Sequence, residues 1–159
     1  MSLPLFLDIE ITYSERNLYP HAISWSLPDG QLKYVLISPD ESWDPWQNQP
    51  EGIDLQHLFE QGFSGNDVIK EMQQDLSGQT VFVDGLDEDL SALEHLFDTF
   101  GEEPGFEIAT ISELFHHYSL DELEDLRREQ AIGAGLAMDT AQDGVLSLLL
   151  LARQLGEID

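Results

Sequence analysis

The chain has no cysteine, and only six lysines and arginines stand against 32 aspartates and glutamates. Without cysteine, disulfides, Cys-ligated zinc or iron and thiolate nucleophiles are excluded, which fits a reducing cytosol as the expected compartment. The six cations are Arg16, Lys33, Lys70, Arg127, Arg128 and Arg153, scattered except for one pair, so no basic patch can be read. At a net charge of −26 the bulk field opposes long nucleic acids, whose non-specific affinity comes largely from Lys and Arg releasing phosphate counterions. The same sign argues against an anionic membrane surface. Long hydrophobic runs are missing too: the most apolar stretch, Val145 to Ala152, covers eight residues, against about 20 for a membrane crossing. No basic region precedes a signal-like core at the N-terminus. Internal repeats, a Gly-rich phosphate loop and any Cys/His cluster are likewise missing.

What is present is the material of a packed fold. An apolar fraction of 42% in 159 residues, with no Pro- or Gly/Ser-rich linker, predicts one domain over 1–159. Strand patterns over residues 3–12, 21–27 and 31–38, the last two joined at Pro28-Asp29-Gly30, predict an antiparallel meander. A loop over 39–52 carries Trp43 and Trp46, expected to pack it down or line a groove. Helices are expected over 54–60 and 64–76, followed by a short buried strand at 81–83 and a helix with Leu86, Leu90, Leu93, Phe97 and Phe100 at helical spacing. A strand over 106–111 precedes helices over 112–118 and 119–134, the second opened by a Ser119/Glu122 capping box. A final helix runs from Asp139 or Thr140 to Leu155, where Gly156 stops it.

The most informative segment is Leu5-Phe6-Leu7-Asp8-Ile9-Glu10-Ile11. At period 2, Asp8 and Glu10 share one sheet face with Phe6, and Leu5, Leu7, Ile9 and Ile11 fill the other. Two carboxylates side by side in a strand repel and lose hydration, an arrangement that a divalent cation relieves. Mg²⁺ or Mn²⁺ suits them, since both prefer carboxylate and water oxygens. A solvated edge strand would give the same local pattern. Two more acids sit where a surface charge is not expected: Asp89 borders the stripe of Leu86, Leu90 and Leu93, and Asp143 precedes Leu146 and Leu150 on one helix face. Four carboxylates suffice for two divalent ions if the fold brings them together.

These segments, in this order, resemble the DEDD-type 3′-5′ exonucleases of the ribonuclease-H-like superfamily. Leu7-Asp8-Ile9-Glu10 is similar to the family's Asp-x-Glu motif, with Ile11 where Thr is usual. Thr80 to Leu93 is similar to its second motif, with Asp89 in the metal position and Asp84 and Asp87 as competing registers. Met138-Asp139-Thr140-Ala141-Gln142-Asp143 resembles the third motif around Asp143. The resemblance spans nearly the whole chain and implies an α/β fold of ribonuclease-H-like type: a mixed sheet with antiparallel first three strands, flanked by helices, with the 81–83 and 106–111 strands added beside the first. It further implies two Mg²⁺ or Mn²⁺ ions on Asp8, Glu10, Asp89 and Asp143, hydrolysing nucleic acid phosphodiester bonds at a 3′ end.

The helper base departs from the family pattern. Met138 stands where the histidine branch has its base and Asp139 where the tyrosine branch has its own. Methionine cannot accept a proton from water, and Asp139 would be an unusual substitute. His116 and His117 read as surface residues, and His21, His57 and His95 show no metal-pair spacing. The leading expectation is therefore a weak metal-dependent 3′-5′ exonuclease acting on a short single-stranded DNA or RNA end or a nucleotide. The alternatives are a catalytically impaired member serving as a binding or regulatory protein, and an acidic domain with a protein partner.

Overall fold

The computed structural model describes residues 3–13, 18–46, 54–84, 87–137 and 140–155. Its strands are β1 (Leu5–Tyr13), β2 (Leu18–Ser26), β3 (Leu32–Ser38), β4 (Phe63–Ser64), β5 (Thr80–Val83) and β6 (Glu107–Thr110). They form a six-stranded sheet in the order β4-β3-β2-β1-β5-β6. β1, β2 and β3 pair antiparallel, whereas β1–β5, β5–β6 and β3–β4 pair parallel. This is the mixed sheet with an antiparallel meander that the ribonuclease-H-like expectation requires. The helices are α1 (Leu55–Gln61), α2 (Gly65–Leu76), α3 (Asp87–Thr99), α4 (Ile111–Leu114), α5 (Leu120–Gly133) and α6 (Ala141–Gln154). Among the described residues no helix is long and apolar enough to cross a membrane.

Period-2 alternation along β1 distributes its side chains to two cores. Leu5, Leu7 and Ile9 pack with Ile23, Trp25, Val81 and Val83 under α2 and α3, which contribute Val68, Met72, Leu76, Leu93, Leu96 and Phe97. Phe6 points the other way and joins Ile111, Phe115, Leu123, Val145, Leu148 and Leu151 beneath α4, α5 and α6. Burial of these side chains, at roughly 1.5–3 kcal/mol each, fixes the strand's register, since a one-residue slip would exchange the acid and aliphatic faces. The α2 face is secured further by Asp75, which accepts from Trp25 Nε1 at 2.9 Å and pairs with Lys33 Nζ at 2.7 Å.

Three differences from the sequence expectations have simple causes. β2 begins at Leu18, three residues early, because Tyr19 is fully buried against Trp43, with ring centroids 5.2 Å apart. β4 was not expected: two residues before an N-cap leave no periodicity to read, and its order comes from parallel pairing with Ile37 and Ser38. The helix expected over 112–118 closes after Leu114, leaving His116 and His117 exposed in a turn. The two indoles of the 39–52 loop part company: Trp43 is buried and donates to Thr99 Oγ1 at 2.9 Å, whereas Trp46 is 64% exposed and stacks on Phe59. Gly156 lies outside the described residues.

The capping box at α5 forms as expected, Ser119 Oγ accepting from Glu122 N and Glu122 Oε1 from Ser119 N, both at 3.2 Å. Ser119→Ala is expected to cost about 1 kcal/mol, read as a shift in the urea midpoint; an unchanged midpoint would show that water satisfies this helix end as well.

Candidate metal centre

The site forms where β1 lies between its antiparallel partner β2 and its parallel partner β5, beside the carboxyl end of β5, a position where open α/β sheets form ligand crevices. Asp8 reaches it from the middle of β1, Asp84 from the residue following β5, and Asp89 from the first turn of α3. One oxygen from each lies within 4.8 Å of the others, and this trio is the group among the described residues suited to a metal ion. The structure thus brings together Asp8 and Asp89 from the expected set and adds Asp84, which the sequence left as a competing register. The Asp87 side chain lies outside the described residues, as do Met138 and Asp139.

Glu10 and Asp143 are not part of this trio. Glu10 Oε2 accepts from Tyr34 Oη at 2.6 Å and from the Ala141 backbone N–H at 2.9 Å, so it ties β1 to the first residue of α6 and satisfies one of that helix's free donors. Its Oε1 lies 3.5 Å from His21 Nε2. His21 gets there through a β-bulge: Glu10 opposes Ala22 and Ile11 opposes Pro20, leaving His21 as the extra residue, turned toward Glu10 and Thr12. Burial raises the Glu10 pKa, but the bonds from His21, Tyr34 and Ala141 outweigh it and hold the carboxyl below its ordinary value. Asp143 occupies the first turn of α6, where its backbone N–H is capped by Thr140 Oγ1 at 3.1 Å and the helix dipole favours its charge.

The trio's electrostatics are set by crowding and burial. Asp89 is 4% exposed and its Oδ2 has no hydrogen-bond partner among the described residues. Burial first, then the charges of Asp84 and Asp8, push its pKa up to about 8. Asp8 rises to about 6 for the same leading reason and the Asp84 charge, with Arg127 acting in the opposite direction. Asp8 Oδ1 accepts from the Ile9 backbone N–H at 2.9 Å.

The feature that sequence reasoning missed is Arg127. Its guanidinium enters from α5, with Nη1 3.1 Å from Asp84 Oδ2 and Nη2 3.8 Å from Asp8 Oδ2. A signal existed: Arg127 falls between Leu123 and Ala131 at i+4 steps, on the buried stripe of its helix. Gly144 was missed too, although it follows Asp143 directly. A Cβ there would overlap Asp8 Oδ2, so the carboxylate occupies the space that a side chain on α6 would need.

No protein-family model matches the chain, and no curated protein is similar to it in sequence. Solved structures do share its fold. A chain from the structure of the yeast NOT1 MIF4G domain co-crystallized with CAF1 superposes with a TM-score of 0.65 at 12% identity, over 96% of this chain and 78% of that one. Escherichia coli exonuclease I, solved with an oligonucleotide, gives a TM-score of 0.62 at 14% identity, over 96% of this chain and 40% of its own. Exonuclease I from Methylocaldum szegediense gives 0.55 at 16% identity, over 94% and 40%. The chain therefore spans about two fifths of the exonuclease I chains. At these identities the likeness concerns the fold.

Proposed function

We propose that the protein is a divalent-metal-dependent hydrolase of phosphodiester ends, a 3′-5′ exonuclease-like protein acting in the cytosol on short single-stranded DNA or RNA or on a nucleotide. The observation that carries this reading is the orphaned Oδ2 of Asp89, buried and within reach of the Asp8 and Asp84 carboxylates. An unpartnered buried carboxyl is costly, and an all-oxygen donor set fits Mg²⁺ or Mn²⁺, either of which would satisfy it. The fold-level likeness to exonuclease I supports the reading without supplying it, because folds host many chemistries.

A bound ion of this kind would lower the pKa of an attacking water and stabilise charge on a departing oxygen. The chain's own residues have distinct parts. Asp8, Asp84 and Asp89 would hold the ion, Glu10 keeps the start of α6 against β1, and Asp143 lies in the same helix turn, next to the Gly144 that packs on Asp8. A short substrate suits the acidic surface, since fewer phosphates meet the opposing field. With Met138 and Asp139 in place of the usual helper, turnover is expected to be slow, as loss of general-base assistance removes about 10²–10⁴-fold in rate.

One observation favours a second reading, a binding or regulatory protein of the same fold with impaired chemistry: Arg127 already compensates two of the three carboxylates. A 5′-labelled single-stranded oligonucleotide incubated with Mn²⁺ separates the two. The exonuclease reading expects slow stepwise shortening that Asp8→Ala lowers by about 100-fold or more. Intact metal binding with no metal-dependent product from the wild type would leave only the second reading standing.

A further inference from the structure

We infer that Arg127 is a built-in cation that takes the place of a second divalent ion, so that this centre binds one Mg²⁺ or Mn²⁺ ion rather than two; the inference rests on the metal-centre reading above. The guanidinium is not a surface group that happens to lie nearby. Its side chain is 12% exposed, and all three of its nitrogens are engaged. Nε donates to Ser147 Oγ at 2.7 Å, Nη1 to Asp84 Oδ2 at 3.1 Å, and Nη2 to the Gly144 carbonyl at 3.1 Å while lying 3.8 Å from Asp8 Oδ2. Ser147 in turn donates to the same Gly144 carbonyl at 2.7 Å. The planar fork is thus held by α6 on one side and presented to two acids on the other, the geometry that distinguishes arginine from a mobile lysine.

The position of the guanidinium leads to the same stoichiometry. Held 3.1 Å from Asp84 Oδ2 and 3.8 Å from Asp8 Oδ2, it repels a divalent ion placed on that side of the trio. Glu10 is no free ligand for a second ion either, since its oxygens face Tyr34, His21 and the Ala141 N–H at the start of α6. Arg127 pairs with Asp8 and Asp84, whereas the orphaned oxygen belongs to Asp89. The vacant coordination therefore lies on the Asp89 side, and the cation already supplied lies on the α5 side.

Two measurements on the full chain, both made without substrate, test this. Calorimetric titration with Mn²⁺ is expected to show one equivalent beyond the weak surface binding that Asp8→Ala retains. The Mn²⁺ paramagnetic resonance spectrum at saturation is expected to be that of an isolated ion. Arg127→Met, which keeps the stem and removes the charge, is expected to bind Mn²⁺ about tenfold or more tightly, or to admit a second equivalent; Arg127→Lys is expected to stay at one. Two equivalents or an exchange-coupled pair in the wild type would overturn the inference, as would a folded Arg127→Met whose affinity and stoichiometry match the wild type. If Arg127→Met does not fold, the wild-type stoichiometry and the Arg127→Lys titration decide. A wild type that binds no Mn²⁺ beyond the Asp8→Ala control would remove the metal-centre reading itself, a different result from two ions bound.

Discussion

Replacing Gly144 with alanine is expected to abolish metal binding and to lower stability by about 1–3 kcal/mol, the usual cost of forcing an atom into packed space. The new Cβ would overlap Asp8 Oδ2 and lie 2.7 Å from its Cγ and 3.2 Å from its Cβ. Rotating the carboxylate aside would break its bond to the Ile9 amide and its contact with Arg127. Moving the helix instead would draw Ala141 away from Glu10. Alanine is the better helix former by about 1 kcal/mol, so a net loss of stability would isolate the steric conflict. Gly133→Ala in α5 is the matched control, because nothing lies within 4 Å of its Cβ position. Thermal melts and Mn²⁺ titrations of the two variants should diverge. Wild-type stability and affinity in Gly144→Ala would show that Asp8 does not pack against α6.

Asp89→Asn is expected to move stability and metal affinity in opposite directions. The Asp89 carboxyl, ordinarily near 3.8, titrates at about 8 in the folded chain because of burial and the charges of Asp84 and Asp8. Between these values the unfolded chain gives up the proton while the folded chain retains it. The Asp89 contribution therefore makes the metal-free fold progressively less stable as pH rises from about 4 to about 8. An asparagine side chain has the shape of the protonated acid and no such titration, so the difference in Tm between variant and wild type should widen with pH, to several degrees at the upper end. Mn²⁺ affinity should fall by more than the 10–100-fold typical of losing an outer-shell partner. A Tm difference independent of pH would show that Asp89 is not held protonated, and unchanged Mn²⁺ affinity would show that it is not a ligand.

The parts of the site that could be read from the chain are those whose burial leaves a local trace. Asp8 and Glu10 interrupt an aliphatic strand at period 2, and Asp89 borders a leucine stripe, so their inward placement follows from spacing. The choice between Asp84 and Asp89 had no such trace. The structure places both in the trio, because the end of β5 and the start of α3 turn back on the same point. Glu10 shares a face with Asp8, yet its role as the anchor of α6 depends on Tyr34 and Ala141, which lie 24 and 131 residues away. Nothing in a strand's periodicity encodes such a partner.

By itself the sequence determined the order of the elements apart from β4, the two-faced character of β1, the caps that open α2 and α5, and the absence of cysteine and of any basic run, because each of these is written in residues that are neighbours along the chain. The resemblance to the DEDD family supplied the topology, and the sheet order bears it out. Only the tertiary structure decided which acids converge and what balances them. Arg127 meets Asp84 across 43 residues and Ser147 across 20, and Gly144 matters only because β1 passes beneath it. The reason is physical: a carboxylate's burial depends on its own strand or helix, whereas its counter-charge must come from whatever segment packing brings within a few ångströms.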